Sequence, residues 1–315
     1  MENLIFCLNA TIPIFLVMVI GYICRNLKLM DEGFVRTLNS FNYKVTLPVL
    51  LFKDIAEADF YAVWDTNYVL FCFLVTLLCI CVLWVLTSIC CKDKSILGEF
   101  VQASYRSSAA VLGIALIQNI YGTSGMAPLM IIGSVPLYNV AAVIILSLTG
   151  PTAHGLNKTT IKKTLKGVLT NPIILGILLG MIVSLCRITF PVMVTKTINN
   201  IAVLATPLAL LGLGAAFEGR KALAKLKPTL ACLMVKLILQ PALFLPLAAY
   251  LGFREEKMIA LLIMLGAPTT ASCYIMAKNL GHEGTLTSSA VVTTTFFSSV
   301  TLTVWLYLLK IYGLI

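Results

Sequence analysis

Pro172-Ile173-Ile174-Leu175, with Gly180 eight residues after the proline, repeats Pro13-Ile14-Phe15-Leu16 with Gly21, at an offset of 159 residues (172 − 13). At the same offset, Pro48-Val49-Leu50-Leu51 falls on Pro207-Leu208-Ala209-Leu210. Leu112-Gly113-Ile114-Ala115 then matches Leu265-Gly266-Ala267-Pro268 at an offset of 153, six residues fewer. Leu, Gly and Pro are common here, so any one match is weak. Three in order, each in the same-numbered apolar segment of its half, read as an internal duplication, a construction that membrane carriers use often.

The composition places both copies in a bilayer. Of 315 residues, 59% are hydrophobic and 11% charged, and the mean hydropathy is +0.98. An average soluble domain carries about 25% charged residues. A soluble enzyme, a disordered chain and a nucleic-acid-binding protein are therefore excluded. The ten cysteines lie in or beside apolar runs, without C-x-x-C pairs or Cys/His spacing for zinc, so they read as packing residues and no metal or other cofactor is expected. The N-terminal run lacks a basic flank, carries Glu2 and is long enough to stay in the membrane rather than be cleaved.

Ten segments qualify as spanning helices of about 20 residues. They lie near 3–25, 33–56, 61–91, 97–119, 126–149, 168–187, 193–217, 228–251, 257–280 and 285–311. The fold class is thus an all-α membrane protein. Residues 1–150 form a first five-helix repeat, 151–167 a basic cytoplasmic linker, and 168–315 the second repeat. Five is odd, so the second copy is inverted relative to the first. Fourteen Lys and Arg residues fall in one set of alternate loops and six in the other. The positive-inside rule then puts both termini outside the cytoplasmic membrane.

In such repeats the ligand site lies near the midplane, where broken helices expose backbone groups. The candidates are Ser104-Tyr105-Arg106-Ser107-Ser108 through Gly113 in span 4, and Gly266-Ala267-Pro268-Thr269-Thr270 in span 9. An ordinary kinked helix is the competing reading of both. Tyr138 and Asn139 of span 5 can add polar contacts to a ligand, or simply bond one helix to another.

Three cations fall inside spans: Lys44, Arg106 and Lys236. Intramembrane charges default to functional candidates, against snorkelling or pairing with carbonyls. Arg106 is about nine residues into span 4, roughly 14 Å deep at 1.5 Å per residue. Lys44 and Lys236 are candidate charge partners of a ligand. Glu99 is the only acid inside a span; the others, Asp54 among them, are expected at span ends or in loops, as are His154 and His282. Buried cations without buried acids point to an anionic substrate. A sodium site made of carbonyls, Asn139 and hydroxyls stays open.

Along its whole length the chain resembles the auxin efflux carrier family, the plant PIN carriers and, closer in length, the bacterial permeases for malate and related acids. The resemblance rests on Gly21-Tyr22, Leu47-Pro48-Val49-Leu50, Leu112-Gly113-Ile114, Asn171-Pro172-Ile173-Ile174-Leu175 with Gly180, Pro207-Leu208-Ala209-Leu210 with Gly214, and Ala267-Pro268. It implies a bile-acid-symporter-like fold with crossing helices 4 and 9. It also implies elevator-type transport of small organic anions, with spans 1, 2, 6 and 7, including Pro48 and Pro207, as hinge or scaffold. Two positions depart from the pattern: Ser108 where relatives often have Asn, and Ala115 where they have the span-4 proline. The expected partners are a small anion and the bilayer, with a homodimer compatible and nucleic acid excluded. The runners-up are a sodium-coupled carrier of the bile-acid-symporter type and a non-transporting sensor on the same fold. Gly122-Thr123-Ser124-Gly125 resembles a protease G-x-S-G but reads as an external turn, far from either histidine.

Overall fold

The computed structural model describes residues 2–57, 65–91, 93–109, 117, 126–150, 170–217 and 225–315, and every element among them is helical. In the first half, α1 is Glu2–Asn26. α2 (Glu32–Phe41) runs through a π-helical turn (Asn42–Thr46) into α3 (Leu47–Ala56). α4 is Thr66–Cys90, α5 is Leu97–Tyr105 and α6 is Ala127–Thr149. In the second half, α7 is Pro172–Leu185, α8 Val192–Ala202 and α9 Ala205–Ala216. α10 (Leu226–Met234) passes through a π-helical turn (Val235–Leu239) into α11 (Gln240–Tyr250). α12 (Glu255–Gly266), α13 (Ser272–Asn279) and α14 (Thr285–Ile311) complete the chain. Among the described residues, five stretches are long and apolar enough to cross a membrane: Thr66–Cys90, Ala127–Thr149, Val192–Ala216, Leu226–Tyr250 and Thr285–Ile311. Leu16–Asn26 and Pro172–Leu185 are shorter apolar helices.

Prolines explain the irregular turns. A helical proline supplies no N–H, and its ring crowds the carbonyl four residues before it. Each π-helical turn ends two residues before a proline, at Thr46 before Pro48 and at Leu239 before Pro241. The wider turn relieves the clash. The carbonyl of Leu237, four residues before Pro241, accepts instead from Trp305 Nε1 at 3.0 Å. Pro207 has a similar effect in the second half, since α8 gives way to α9 at Val203–Leu204 just before it. Asn171 starts α7 by accepting from the Ile173 amide at 2.9 Å, with Pro172 in the first turn where no donor is needed.

The packing of the two halves against each other carries the 159-residue offset. α1 lies along α9 and α3 along α7. A Cβ on Gly21 would strike the carbonyl oxygen of Leu211, and a Cβ on Gly180 would lie 2.7 Å from that of Phe52. Adding 159 to 21 and 52 gives 180 and 211, so the two contacts exchange when the halves are exchanged. Gly176 against Pro48 and Gly214 against Met18 are equally tight. Only glycine lets the backbones approach this closely.

Burial runs opposite to that of a soluble protein. Leu70, Leu74, Leu78, Val85, Leu179, Ile182 and Leu243 point outward. Thr287, Ser288, Thr294, Thr295 and Ser298 of α14 point inward, while Phe296, Phe297, Val300 and Val304 face out. The buried hydroxyls bond back to carbonyls three or four residues earlier, such as Thr294 Oγ1 to Ala290 O at 2.6 Å, which leaves the outer surface apolar as lipid requires. Ion pairs link the halves near helix ends. Asp65 meets Lys257 at 2.5 Å and Asp93 meets Lys225 at 2.9 Å. The Ser95 hydroxyl, with Lys225, holds the Asp93 carboxyl down at about 2, so this pair stays ionised at neutral pH and is lost only as pH falls toward that value.

Gly180→Val should cost about 1–3 kcal/mol by overpacking, read as a lower thermal midpoint of the purified protein. Gly21→Val should do the same, and Gly252→Val, with nothing near its Cβ position but a positive φ, less. Equal midpoints for Gly180→Val and wild type would contradict the close approach.

Candidate functional site

Both expected breaks are present in the described residues, and they meet. α5 stops at Tyr105, and Arg106 is extended (φ −76°, ψ 132°). α12 stops at Gly266, and Ala267 is extended (φ −71°, ψ 156°). Pro268 accounts for the second break, because a proline drives the residue before it out of the helical region. No proline lies in or just after α5. The two breaks begin 161 residues apart (267 − 106), close to the 159 of the paired glycine contacts. The Leu112–Ala115 match at 153 belongs to residues 110–116, outside the described residues, as do Gly113 and Ala115.

Each break caps the other helix. Ser107 Oγ donates to Ile263 O of α12 at 2.8 Å, and Thr269 Oγ1 donates to Ala103 O of α5 at 2.7 Å. The Ser108 amide closes the crossing on Pro268 O at 2.9 Å. Ala103 O, an orphan carbonyl of the last turn of α5, gains a donor from outside its helix in this way, and Ile263 O takes the hydroxyl beside the Ala267 amide. Other helices supply more donors. Gln240 Nε2 reaches Ser104 O at 2.9 Å and Tyr138 OH reaches Met264 O at 3.3 Å. Lys236 Nζ lies 2.9 Å from Leu265 O, 3.3 Å from Met264 O and 3.5 Å from Tyr105 O.

Beside the crossing is a cleft of about 90 Å³. Its lining includes Arg106, Ser107, Ser108, Tyr138, Asn139, Pro268, Thr269, Thr270, Ser272 and Thr295, with Leu50, Leu51, Ala209 and Leu210 facing them from α3 and α9. At about 15 Å³ per water, this is room for on the order of six waters. The Arg106 guanidinium, almost wholly buried, donates to Asn139 Oδ1 and to Met276 Sδ at 2.7 Å. Asn139 is oriented in turn by its own bond to Val135 O at 2.9 Å. Among the described residues, no carboxylate forms a salt bridge with Arg106. α13 begins at Ser272, so its N-terminal end, which carries partial positive charge, is also on the cleft.

Eight of the candidate residues thus share one cleft: Arg106, Ser107, Ser108, Tyr138, Asn139, Pro268, Thr269 and Thr270. Gly266 and Ala267 do not line it. A Cβ on Gly266 would meet Pro241 at 3.0 Å, and Ala267 is buried at the end of α12. Lys44 is exposed on the outer face and does not reach the cleft. Lys236 is fully buried but serves helix ends rather than the cleft. Pro48 packs its carbonyl on Gly176 and Pro207 is exposed, in α3 and α9 respectively.

Among the cleft residues that are not sequence candidates, one is charged. Asp54, expected in an external loop, occupies the last turn of α3 and lines the cleft. The signal was there: Pro48 at the start of α3 sets a helical phase in which Leu47, Leu50, Leu51 and Asp54 share a face. Glu99, the acid expected inside a span, is buried but not in the cleft. It caps the start of α14, accepting from the Gly284 amide at 2.8 Å and the Thr287 amide at 3.0 Å. His282, expected to be loop-bound, is in a loop yet buried, with Nε2 2.8 Å from Leu146 O. His154 and Gly122–Gly125 lie outside the described residues.

Two crossing helix ends beside a small cleft in a helical membrane protein are the arrangement expected of a transporter. The chain belongs to the membrane transport protein family, that of the auxin efflux carriers, whose model matches residues 6–306. A search of the curated proteins finds no match to the chain. It is therefore a multi-pass membrane transporter, of a family that is not enzymatic.

Glu99→Ala should lower the thermal midpoint, since charge-assisted bonds to amides contribute about 1.5–3 kcal/mol each. Ligand affinity of the folded fraction should stay unchanged. A loss of affinity with an unaltered midpoint would place Glu99 in the ligand path instead.

Proposed function

We propose that this transporter is a secondary carrier of the cytoplasmic membrane that moves small organic anions, carboxylates foremost, by elevator-type alternating access. The observation that carries the reading is Arg106, a buried guanidinium lining the cleft whose partners among the described residues are neutral. A buried cation is costly without an anion, and a carboxylate can take the two-pronged geometry that guanidinium offers. The α13 N-terminus and the Ser108 and Thr270 hydroxyls support an anion at the same end. The small cleft suits a short organic acid better than a steroid-sized cargo.

In this reading residues 1–150 and 168–315 are two inverted five-helix repeats joined by a cytoplasmic linker, with both termini outside. The paired glycine contacts at offset 159 support the duplication. α1–α3 and α7–α9 form the scaffold, and α4–α6 with α10–α14 the moving body that carries the crossing. The scaffold contributes the apolar wall of the cleft, so sliding the body would expose the site to one side and then the other. A homodimer is compatible with the scaffold face.

Asp54 divides the cleft electrostatically, as a like charge toward an anionic cargo. In proteoliposomes loaded by a labelled dicarboxylate, Arg106→Ala should abolish uptake, while Asp54→Asn should lower KM severalfold. Uptake by Arg106→Ala equal to wild type removes Arg106 from the site. Saturable binding by wild type without any flux favours a sensor over a carrier.

A further inference from the structure

Lys236 stands where a carrier's coupling cation could sit. In broken-helix transporters, carbonyls at half-helix C-terminal ends are the usual ligands of a coupling sodium ion. Here two such ends converge, those of α5 and α12, each carrying roughly half a negative elementary charge. Together they match one positive charge. The Lys236 ammonium supplies it: fully buried, it lies 2.9 to 3.5 Å from carbonyls of both ends, Leu265 and Met264 on one and Tyr105 on the other. An ammonium has three donors and no acceptor, and here it faces three carbonyl oxygens. Its stem comes from the π-helical turn Val235–Leu239, ahead of Pro241.

We propose that Lys236 is a tethered substitute for a monovalent coupling ion. The crossing is then a latent alkali-cation site that the wild-type protein keeps filled covalently, and the carrier needs no sodium there. This deepens the carrier reading and rests on it only for the consequence that flux is sodium-independent. Removing the side chain while keeping the carbonyls should uncover the site. Refilling its space with an uncharged chain should not.

The test uses the purified full chain in lipid nanodiscs, with thermal midpoints in sodium, lithium, potassium or choline chloride at equal ionic strength. Wild type is expected to show one midpoint in all four salts. Lys236→Ala is expected to fall by about ten degrees in choline and to recover part of that loss in sodium or lithium, or with added methylammonium. Lys236→Met, which fills the space without charge, is expected to stay low in every salt. A sodium-specific rise in the wild-type midpoint overturns the proposal, and so does a Lys236→Ala loss that is the same in all salts and with methylammonium. If Lys236→Ala does not fold, the wild-type comparison and binding of radiolabelled sodium to wild type still decide, since stoichiometric sodium binding at the crossing contradicts a site already filled. Proteoliposome uptake forms a separate arm: absence of any flux defeats the carrier reading and leaves the midpoints to judge Lys236.

Discussion

Helix ends inside a membrane are the constraint on which this structure depends. Four carbonyls at the C-terminus of any helix lack partners in their own helix, and hydrocarbon offers no water to satisfy them. α5 and α12 both stop within the protein interior, so their orphan carbonyls must be served by other parts of the chain. Ser107 and Thr269 serve each other's helix, the Ser108 amide joins the breaks, and Gln240, Tyr138 and Lys236 take most of what remains. The placement of α6 and of the α10–α11 helix follows from that need as much as from apolar packing. The cleft lies where two stretches of the chain, at Arg106 and Ala267, turn extended and meet.

The same arrangement sets the electrostatics. The C-terminal halves of the dipoles are neutralised on one side by Lys236, which leaves Arg106 and the start of α13 as the positive features of the cleft. Two cations that look alike in the sequence thus do different work. One is enclosed by carbonyls and has no room for a ligand; the other faces open space with an amide and a thioether as partners. Glu99 differs likewise from Asp54: the first is consumed by amides at the start of α14, and the second faces the cleft from α3.

Much of the site was legible because its residues break local rules. Pro268 cannot continue a helix, Arg106 is costly in lipid, and Gly21 and Gly180 repeat at the same spacing as their prolines. Eight candidate residues meet in one cleft for that reason. What was not legible depended on phase or on distant partners. Asp54 falls at the end of the expected 33–56 span, beside the acids of an external loop, and the sequence alone does not show that the last turn of α3 carries it to the cleft. Lys44 sits in a span by position, yet the helix turns it outward, where a long side chain can reach the interface.

By itself, the sequence determined that this chain lives in a bilayer, that a 159-residue offset recurs along it, and that Pro268 disfavours an unbroken helix through α12. Composition, spacing and a missing N–H are local properties, which a sequence states directly. Only the tertiary structure decided that α5 stops at Tyr105, for no proline ends it. Its carbonyls are held by Thr269, Gln240 and Lys236, from 131 to 166 residues away. Which cation meets the cleft and which is spent on helix ends was decided there too, because only the folded crossing brings two negative helix ends to a single lysine.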